Sequence, residues 1–429
     1  MKNDPAIRSN GPDRQRAIYL PGVSGQRPLL PTNAQHLETL ARTRMSAKAF
    51  GYVAGSAGRE STADRNVAAF ESWRIRPRML RDVSQRDPGI RLFGRSLPGP
   101  FLLAPIGVLD LAAANGDLAV ARAAARMGVP MIFSNQASAP MEDCAAVMGD
   151  SPRWFQLYWS KSNDLVASLV GRAEACGCEA IVVTLDTTLL GWRPRDLDLA
   201  FLPFLQGRGI AQYVSDPVFQ RLMDEPAPET QPSPPRRLNW QTLRSVAALM
   251  RRYPGSIWQN LRSGRPLKAV RTFINTYSRP SLSWEDLPFL RQQTSLPILL
   301  KGILYPDDAR RAIDAGVDGL LVSNHGGRQL DGAIASVEAL PSIVEAVAGQ
   351  APILLDSGIR SGADAFKALA LGAKAVCIGR PYVYGLAIAG QAGVEELLSN
   401  FFAEFDLTMG LAGCRNVEEI DHSTLWQAG

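Results

Sequence analysis

The chain has 429 residues, of which 46% are hydrophobic and 20% are charged, and its formal net charge is +5. This composition is typical of an ordinary globular protein with a sizeable core. The basic residues are scattered among acidic ones without interleaved aromatic residues, so the sequence excludes a nucleic-acid-binding patch.

Membrane-spanning and disulfide-stabilised classes are also disfavoured. No stretch reaches the roughly 18 consecutive apolar residues of a spanning helix, and the polar N-terminus lacks the apolar region of a signal peptide. The five cysteines, including Cys176 and Cys178, match neither a disulfide framework nor a paired zinc spacing. We therefore expect a cytoplasmic protein with reduced thiols, no membrane partner and no metal site.

The first predicted element is a helical lead over residues 34–95, in which residues 34–69 have the clearest helical pattern. Tyr52 lies in this lead, in the sequence GYVAGSAG. Taken alone, Tyr52 is interpreted as an ordinary packing or turn residue.

A repeated helix–strand unit follows the lead. Segments 123–133, 173–183, 312–322 and 368–378 each run from an alanine-rich helix end, through a glycine, into an apolar run. A left-handed helix end favours glycine, and the β-branched residues after it are typical of a buried parallel strand. The glycines are Gly128, Gly177, Gly316 and Gly372. Weaker copies at 101–107, 153–159, 297–302 and 352–358 bring the total to eight units, which predicts an α/β fold, a (β/α)8 TIM barrel over residues 96–390.

One insertion interrupts the repeat after the fourth strand. Residues from about 190 to 282 carry no such unit and include the proline-rich stretch EPAPETQPSPPRR. Loops at this face of a barrel usually cover active sites, so a lid is favoured over a second domain. Residues 394–413 are predicted to form a helix that ends at Gly413, within a C-terminal helix and tail over 391–429. The whole chain is thus predicted to be one domain.

Polar residues follow most of the predicted strands, where catalytic groups of TIM barrels lie. The first five strands lead to these candidates: Pro105, Ile106 and Gly107; Ser134, Asn135 and Gln136; Gln156 and Tyr158; Thr184 and Asp186; and Lys301. Burying Lys301 would be costly without an anionic partner, which could be a bound anion or a carboxylate such as Asp186.

The last two strands predict a phosphate site. DSGIRSG, which contains Asp356, Ser357, Gly358, Ile359 and Arg360, precedes one helix, and Gly379-Arg380-Pro381 precedes the next. Both segments offer backbone N–H groups, helix N-termini and an arginine at the usual phosphate position of the barrel. The alternative is that the arginines form surface ion pairs and the glycines only permit turns.

The sixth strand runs into Ser323 and the sequence SNHGGRQLD. Of the three histidines, only His325 falls at a strand end. An isolated histidine most often has a satisfied role in the core. Here Gly326 and Gly327 would let the backbone approach a ligand and Arg328 follows closely, so we favour a base beside an anion site.

These motifs together resemble a known family. YVAGSAG, FQLYW, TLDTTLLGWRPRD, LPILLKG, SNHGGRQLD, DSGIRSGADAFKALALGA and IGRP are similar, over residues from about 35 to 415, to the FMN-dependent L-2-hydroxy acid oxidases and dehydrogenases. Within that family, GWRPRDLDLAFLPFLQGRGIAQYVSDPVFQ, APIGV and the long insertion are closer to lactate 2-monooxygenases than to glycolate oxidases or mandelate dehydrogenases.

The resemblance implies roles for the substrate-facing residues. His325 would be the general base, oriented by Asp186. Arg328 and Arg193 would hold the substrate carboxylate with help from Tyr52, and Tyr158 would contact the substrate hydroxyl or carboxylate. Oxygen is the expected electron acceptor, and relatives suggest a homotetramer or larger homo-oligomer.

The resemblance also implies an FMN site. The isoalloxazine ring would lie against the backbone of Pro105 to Gly107, with Lys301 stabilising the negative charge that develops on reduction. The phosphate would meet residues 356–360 and 379–380, or Asp356 could accept from a ribityl hydroxyl. Ring and ribityl contacts would come from Ser134, Gln156, Tyr158, Thr184 and Ser323.

Two positions bear on the outcome of the reaction. Gly107 matches the monooxygenases, whereas oxidases tend to carry alanine there. Gln136 departs from the family, which usually has an apolar or aromatic residue near the substrate side chain. A polar amide would be poorly satisfied by the methyl group of lactate, so the substrate would carry a polar side chain or a water would fill the gap.

Other classes remain as alternatives. The first alternative is that the chain is an oxidase or dehydrogenase of the same family that acts on a different 2-hydroxy acid. This alternative also needs His325 and FMN. A phosphate-binding barrel isomerase or synthase would share the phosphate site, but it does not explain His325 beside Lys301 and Arg193. A non-catalytic scaffold explains less still.

Overall fold

The computed structural model describes residues 10–225 and 239–428. Most of the proline-rich stretch, residues 226–238, lies outside the described residues. The chain begins with four helices: α1 (Gly11–Gly22), α2 (Ala34–Arg44), α3 (Ala47–Ala54) and α4 (Ser61–Ala68). Helix α1 was not predicted, although Asn10 caps it by accepting from the Asp13 backbone N–H at 3.0 Å.

The predicted helical lead is wrong only beyond Ser72, because a 3-10 helix at Ala69–Ser72 follows α4 and short strands follow it. These are β1 (Trp73–Ile75), β2 (Ile90–Leu92) and β3 (Arg95–Leu97). Strands β2 and β3 are antiparallel and are joined at Phe93 and Gly94, whose φ angles of 45° and 79° are typical of a tight hairpin turn.

The predicted barrel is confirmed. Eight parallel strands close in the order β10-β11-β4-β5-β6-β7-β8-β9. They are β4 (Phe101–Leu103), β5 (Met131–Phe133), β6 (Arg153–Leu157), β7 (Ile181–Thr184), β8 (Ile298–Lys301), β9 (Gly319–Val322), β10 (Ile353–Leu355) and β11 (Ala375–Ile378). The four predicted helix-ending glycines all have positive φ, from 65° at Gly128 to 101° at Gly372.

The helices after the first three barrel strands are α5 (Gly116–Met127), α6 (Met141–Met148) and α7 (Asn163–Ala175). The insertion after β7 is helical where it is described. It contains α8 (Pro194–Asp198), α9 (Ala211–Val214), α10 (Pro217–Leu222), α11 (Trp240–Arg252), α12 (Ile257–Ser263) and α13 (Arg265–Thr276).

The remaining helices complete the barrel and the C-terminal region. They are α14 (Leu287–Gln293), α15 (Pro306–Asp314), α16 (Ser336–Val347), α17 (Gly362–Ala370) and α18 (Arg380–Ala412), followed by β12 (Leu425–Gln427), which pairs with β1. Helix α18 is kinked at Ala389 and Gly390 and ends at Gly413, as predicted. No helix within residues 10–225 and 239–428 is long and apolar enough to cross a membrane.

The barrel interior is filled in layers. One apolar side chain from each strand packs inside, and Ile90, Leu92 and Leu97 of the hairpin pack against this layer. The interior side chains are Leu102, Ile132, Trp154, Val182, Leu299, Leu321, Leu354 and Cys377. Because side chains alternate along a strand, the residue two positions later faces the same interior. This register places the predicted polar residues in the next layer, towards the carboxyl ends of the strands.

Candidate active site

A cavity opens at the carboxyl ends of the barrel strands. Most of the predicted site residues line it. They are Tyr52, Pro105, Ile106, Gly107, Gln136, Tyr158, Arg193, Lys301, His325, Arg328, Asp356, Ser357, Gly358, Ile359, Arg360, Gly379 and Arg380. The structure therefore brings together residues from the lead, the barrel strand ends and the insertion.

Four other predicted residues lie beneath the cavity instead of in its wall. They are buried in the polar layer of the barrel interior, which lies next to the apolar layer and towards the carboxyl ends of the strands. These residues are Ser134, Gln156, Thr184 and Ser323. The Gln156 amide donates to Thr184 Oγ1 at 3.0 Å, and its oxygen accepts from Ser134 Oγ at 3.3 Å. These side chains form a hydrogen-bonded floor, since each follows an interior apolar residue by two positions.

The His325 side chain is held on a strained turn after β9. His325 itself has a φ of 58°, a region that residues other than glycine rarely occupy. Its backbone N–H donates to Ser323 Oγ at 3.0 Å, and the Gly326 N–H donates to Ser357 Oγ at 2.9 Å. Gly327 was expected to let the backbone approach a ligand, but the structure gives this glycine a different role. A Cβ there would lie 2.6 Å from the backbone nitrogen of Ala63, so packing against α4 explains that glycine.

His325 and Asp186 form the predicted pair. His325 Nδ1 lies 2.7 Å from Asp186 Oδ1, which also accepts from Thr187 Oγ1 at 3.0 Å. Burial lowers the pKa of His325 below its usual 6.5, although the Asp186 charge acts in the opposite direction. Burial alone would raise the pKa of Asp186, but the charges of His325 and Lys301 outweigh it and the pKa is lowered. At neutral pH the pair is thus a neutral imidazole beside a carboxylate, which can accept a proton and stabilise the resulting cation.

This pair predicts an acid limb in the pH profile. A neutral base is needed, so we expect kcat/KM to fall only below pH 6.5, since the pKa of His325 is lowered from that value. In Asp186→Asn the limb should move to lower pH, because the charge that raises the pKa of His325 is gone. The plateau should fall roughly 10- to 100-fold with the loss of a charge-assisted hydrogen bond. Measuring kcat/KM against pH for this variant and for exposed Asp64→Asn tests both effects; an unmoved limb would contradict them.

Lys301 has the carboxylate partner that the sequence analysis named, Asp186, and a second one, Asp356. Its Nζ lies 3.6 Å from Asp186 Oδ2 and 3.4 Å from Asp356 Oδ2, and it donates to Ser323 Oγ at 2.8 Å. Burial would lower the pKa of Lys301, but the two carboxylates raise it, so the ammonium stays charged. The same residue lines the cavity, so carboxylate pairing does not prevent contact with a bound cofactor.

Arg328, Arg193 and Tyr52 form a cationic corner of the cavity. Arg328 Nη1 donates to the carbonyls of Tyr52 and Gly55 at 2.7 and 2.6 Å, and the guanidinium lies 5.2 Å from the centre of the Tyr52 ring. Burial, Arg193 and Arg380 lower the pKa of Arg328 to about 9. Within the described part of the chain, neither Arg193 nor Arg328 has a carboxylate within 4.0 Å. Two neighbouring guanidinium groups without a carboxylate at ion-pair distance, the buried Arg193 and the half-buried Arg328, fit a bound carboxylate.

The predicted phosphate site contains two arginines that differ in their attachments. Arg380 donates to the carbonyls of Val53, Gly326 and Gly55 and, at 2.7 Å, to Ser56 Oγ. Within the described residues, the Arg360 guanidinium bonds only to the neighbouring Ile359 carbonyl, at 3.1 Å. Neither forms an ion pair with a described carboxylate, so the surface ion-pair alternative is not observed. The donor set at this end of the cavity fits the phosphate of FMN.

Sequence reasoning missed several residues of the site. Thr187 orients Asp186, as described above, and lines the cavity. Gln329 donates to the Asp186 carbonyl at 3.0 Å and accepts from Arg193 Nη2 at 2.7 Å, which joins the base to the carboxylate corner. Phe204 and Tyr277 of the insertion also line the cavity. Thr187 and Gln329 are adjacent to recognised motifs, whereas nothing in the sequence singled out the two aromatic residues.

The predicted substrate-side residue Gln136 is placed against Gly107. A Cβ at Gly107 would lie 2.9 Å from the Gln136 carbonyl oxygen, so the tight packing of these two loops favours glycine. The Gln136 side chain lines the cavity with 8% of the residue exposed. Its carboxamide has no hydrogen-bond partner within residues 10–225 and 239–428.

Comparisons with known proteins agree with this geometry. The family model described as FMN-dependent dehydrogenase matches residues 41–427. An L-lactate oxidase of Lysinibacillus sphaericus is 41% identical over 408 residues, covering 95% of this chain and 96% of the relative. Human 2-hydroxyacid oxidase 1 is 38% identical, covering 90% and 93%. A crystal structure of mandelate oxidase with (S)-4-hydroxymandelic acid is similar with a TM-score of 0.75 at 37% identity, covering 92% and 98%.

Proposed function

Because this chain belongs to the FMN-dependent dehydrogenase family, we propose that it oxidises a small L-2-hydroxy acid to the corresponding 2-keto acid, with His325 as the base. FMN is the cofactor of this family, and when bound it supplies the two-electron acceptor. The observation that carries the proposal is the 2.7 Å contact between His325 and Asp186 in a site that also contains Arg193 and Arg328, neither of which has a described carboxylate within 4.0 Å.

The residues of the cavity divide the chemistry between them. Arg193 and Arg328 bind the substrate carboxylate, and the Tyr52 and Tyr158 hydroxyls remain protonated donors, because burial raises the pKa of both, that of Tyr158 to about 12. His325 accepts the proton that leaves the substrate, and Asp186 stabilises the imidazolium formed. Lys301 holds a positive charge at the cavity wall, where negative charge develops on the cofactor.

The first candidate outcome is oxidative decarboxylation, as in lactate 2-monooxygenases. It is supported by Gly107 and by the insertion, which we propose is a lid because Phe204 and Tyr277 line the cavity. A lid that keeps the keto acid in the site leaves time for the peroxide formed from oxygen to decarboxylate it. The second candidate is an oxidase or dehydrogenase that releases the keto acid, which is supported by the names of the relatives.

Gln136 supports a substrate whose side chain can form a hydrogen bond. The Gln136 carboxamide has no described partner and is accessible from the cavity, so a hydroxyl on the substrate would give it a hydrogen bond that a methyl group cannot. L-Glycerate and L-2-hydroxybutyrate form a matched pair, because they differ by a hydroxyl against a methyl group at the same place. We expect the wild type to prefer glycerate and Gln136→Leu to reduce that preference about tenfold or more. The measurement is the ratio of kcat/KM for glycerate to kcat/KM for 2-hydroxybutyrate, with Gln136→Asn as the control that retains the amide. Equal ratios in the wild type and in Gln136→Leu would refute the role of Gln136.

Product analysis tests the proposed function directly. Purified protein is mixed in air with a panel of L-2-hydroxy acids, and the products are identified. A shortened carboxylic acid with carbon dioxide indicates the monooxygenase, and a keto acid with hydrogen peroxide indicates the oxidase. Oxidation only with an artificial acceptor indicates the dehydrogenase. A colourless protein that binds no FMN would favour a barrel isomerase or a scaffold instead.

A further inference from the structure

The insertion carries an unusual concentration of exposed apolar side chains on helices α11, α12 and α13. Two tryptophans are the most exposed, with 67% of Trp240 and 80% of Trp258 accessible. The exposed aliphatic residues of the same helices are Leu243, Ile257, Leu261, Leu267 and Ile274. Monomeric proteins rarely expose contiguous large apolar side chains without a partner.

The charge of this region has one sign. Residues 239–284 contain eight of the 46 lysines and arginines of the chain and none of its 41 aspartates and glutamates. Arg265 and Lys268 pair with Asp224, and Arg279 pairs with Asp286. The exposed residues Arg244, Arg251, Arg262 and Arg271 form no ion pair with any residue in the described part of the chain.

Apolar and basic side chains share the same helix faces. In α11, Trp240, Leu243, Arg244 and Arg251 are exposed at helical spacing, while Leu249 and Met250 are buried. The Arg244 guanidinium lies 5.5 Å from the centre of the Trp240 ring. In α13, Leu267, Lys268, Arg271 and Ile274 are exposed, and Ala269, Val270 and Phe273 are buried. Each of these two helices thus has one face packed on the protein and an opposite face that is apolar and cationic.

We propose that this Trp240–Ile274 surface, the exposed faces of α11, α12 and α13, docks on a membrane surface that contains anionic lipids. Interfacial helices combine tryptophan and aliphatic residues with arginine and lysine, and they bind by apolar burial together with attraction to anionic head groups. The contact is peripheral, since no described helix is able to span a membrane. It departs from the expectation that the chain has no membrane partner.

Other occupants fit the surface less well. A two-fold contact with a second copy would place the same cationic faces opposite each other, which is unfavourable, and a head-to-tail contact would need a matching acidic face elsewhere on the chain. A specific protein partner is usually positioned by charges of both signs or by a groove, whereas these faces are helix exteriors without an acidic residue. A lipid surface requires neither.

Sedimentation of the FMN-loaded full chain with vesicles tests the proposal. We expect at least tenfold stronger binding to phosphatidylcholine vesicles containing about a third phosphatidylglycerol than to phosphatidylcholine alone, with binding that weakens as salt is raised. Arg244→Gln, Arg251→Gln and Arg262→Gln together should weaken binding about a hundredfold, because each charge near an anionic surface contributes roughly fivefold. Trp240→Ala with Trp258→Ala should weaken binding to the same vesicles at least tenfold.

The controls separate this proposal from the others. Arg310→Gln with Trp426→Ala removes one exposed charge and one exposed tryptophan elsewhere and should bind as the wild type does. All variants should keep their flavin absorbance and their kcat on soluble substrate, which verifies folding. Absent binding, or equal binding to both vesicle types, would overturn the proposal. A change of oligomeric mass in the surface variants would overturn it in favour of a second copy, and binding of an acidic protein without vesicle binding would overturn it in favour of a protein partner.

Discussion

Replacing His325 with glutamine is expected to slow reduction of the flavin by substrate about 10²- to 10⁴-fold, the usual contribution of a general base. Glutamine has a similar size and keeps a polar group towards Asp186, but it cannot accept the proton. The side chains of the predicted phosphate site, Arg360 and Arg380, are unchanged in this variant and do not bond to the His325 side chain, so the purified variant should remain yellow. Stopped-flow absorbance after anaerobic mixing measures the rate.

A second histidine provides the matched control for this variant. His36 is exposed on α2, outside the cavity, so His36→Gln should bleach at the wild-type rate. If His325→Gln also bleached at the wild-type rate, another group would be the base and the assignment of His325 would be wrong.

Removing both phosphate-site arginines, by Arg360→Ala and Arg380→Ala, is expected to weaken FMN binding at least about a hundredfold, because each charge-assisted hydrogen bond contributes about 1.5–3 kcal/mol. At saturating FMN the remaining site should still reduce the flavin, since neither arginine contacts His325 or Asp186 through a described hydrogen bond. Fluorescence titration with free FMN gives the dissociation constant.

The two single variants sharpen this test. Arg360→Ala should act mainly on FMN, because among the described residues the Arg360 guanidinium bonds only to the Ile359 carbonyl. Arg380→Ala should also loosen the end of α3, because Arg380 holds the carbonyls of Val53 and Gly55. The exposed Arg122→Ala serves as control. Unchanged FMN affinity in the double variant would contradict the predicted phosphate site.

The barrel was predictable because one local pattern is repeated. A glycine in left-handed conformation ends a helix, as at Gly177 and Gly316, and an apolar run follows. The interior residues then alternate with outward ones, so the positions of Lys301 and Asp356 at the strand ends follow from the strands themselves. His325 was identified for the same reason, as the single histidine at a strand end.

The parts that were not predicted depend on contacts distant in sequence. Strands β2 and β3 are three residues each and carry arginines, so only their packing beneath the barrel makes them strands. Phe204 and Tyr277 reach the cavity from an insertion without a repeat. The four floor residues, of which Gln156 is one, lie inside the barrel at the level of Lys301 and Asp356 but are not part of the cavity wall, so their contact with the cofactor stays a prediction.

The most direct test of the central proposal is anaerobic mixing of the FMN-loaded wild-type protein with L- and D-enantiomers of 2-hydroxy acids. The account predicts that at least one L-enantiomer bleaches the flavin and yields the 2-keto acid, whereas its D-enantiomer does not. A yellow protein whose flavin no 2-hydroxy acid reduces would contradict it.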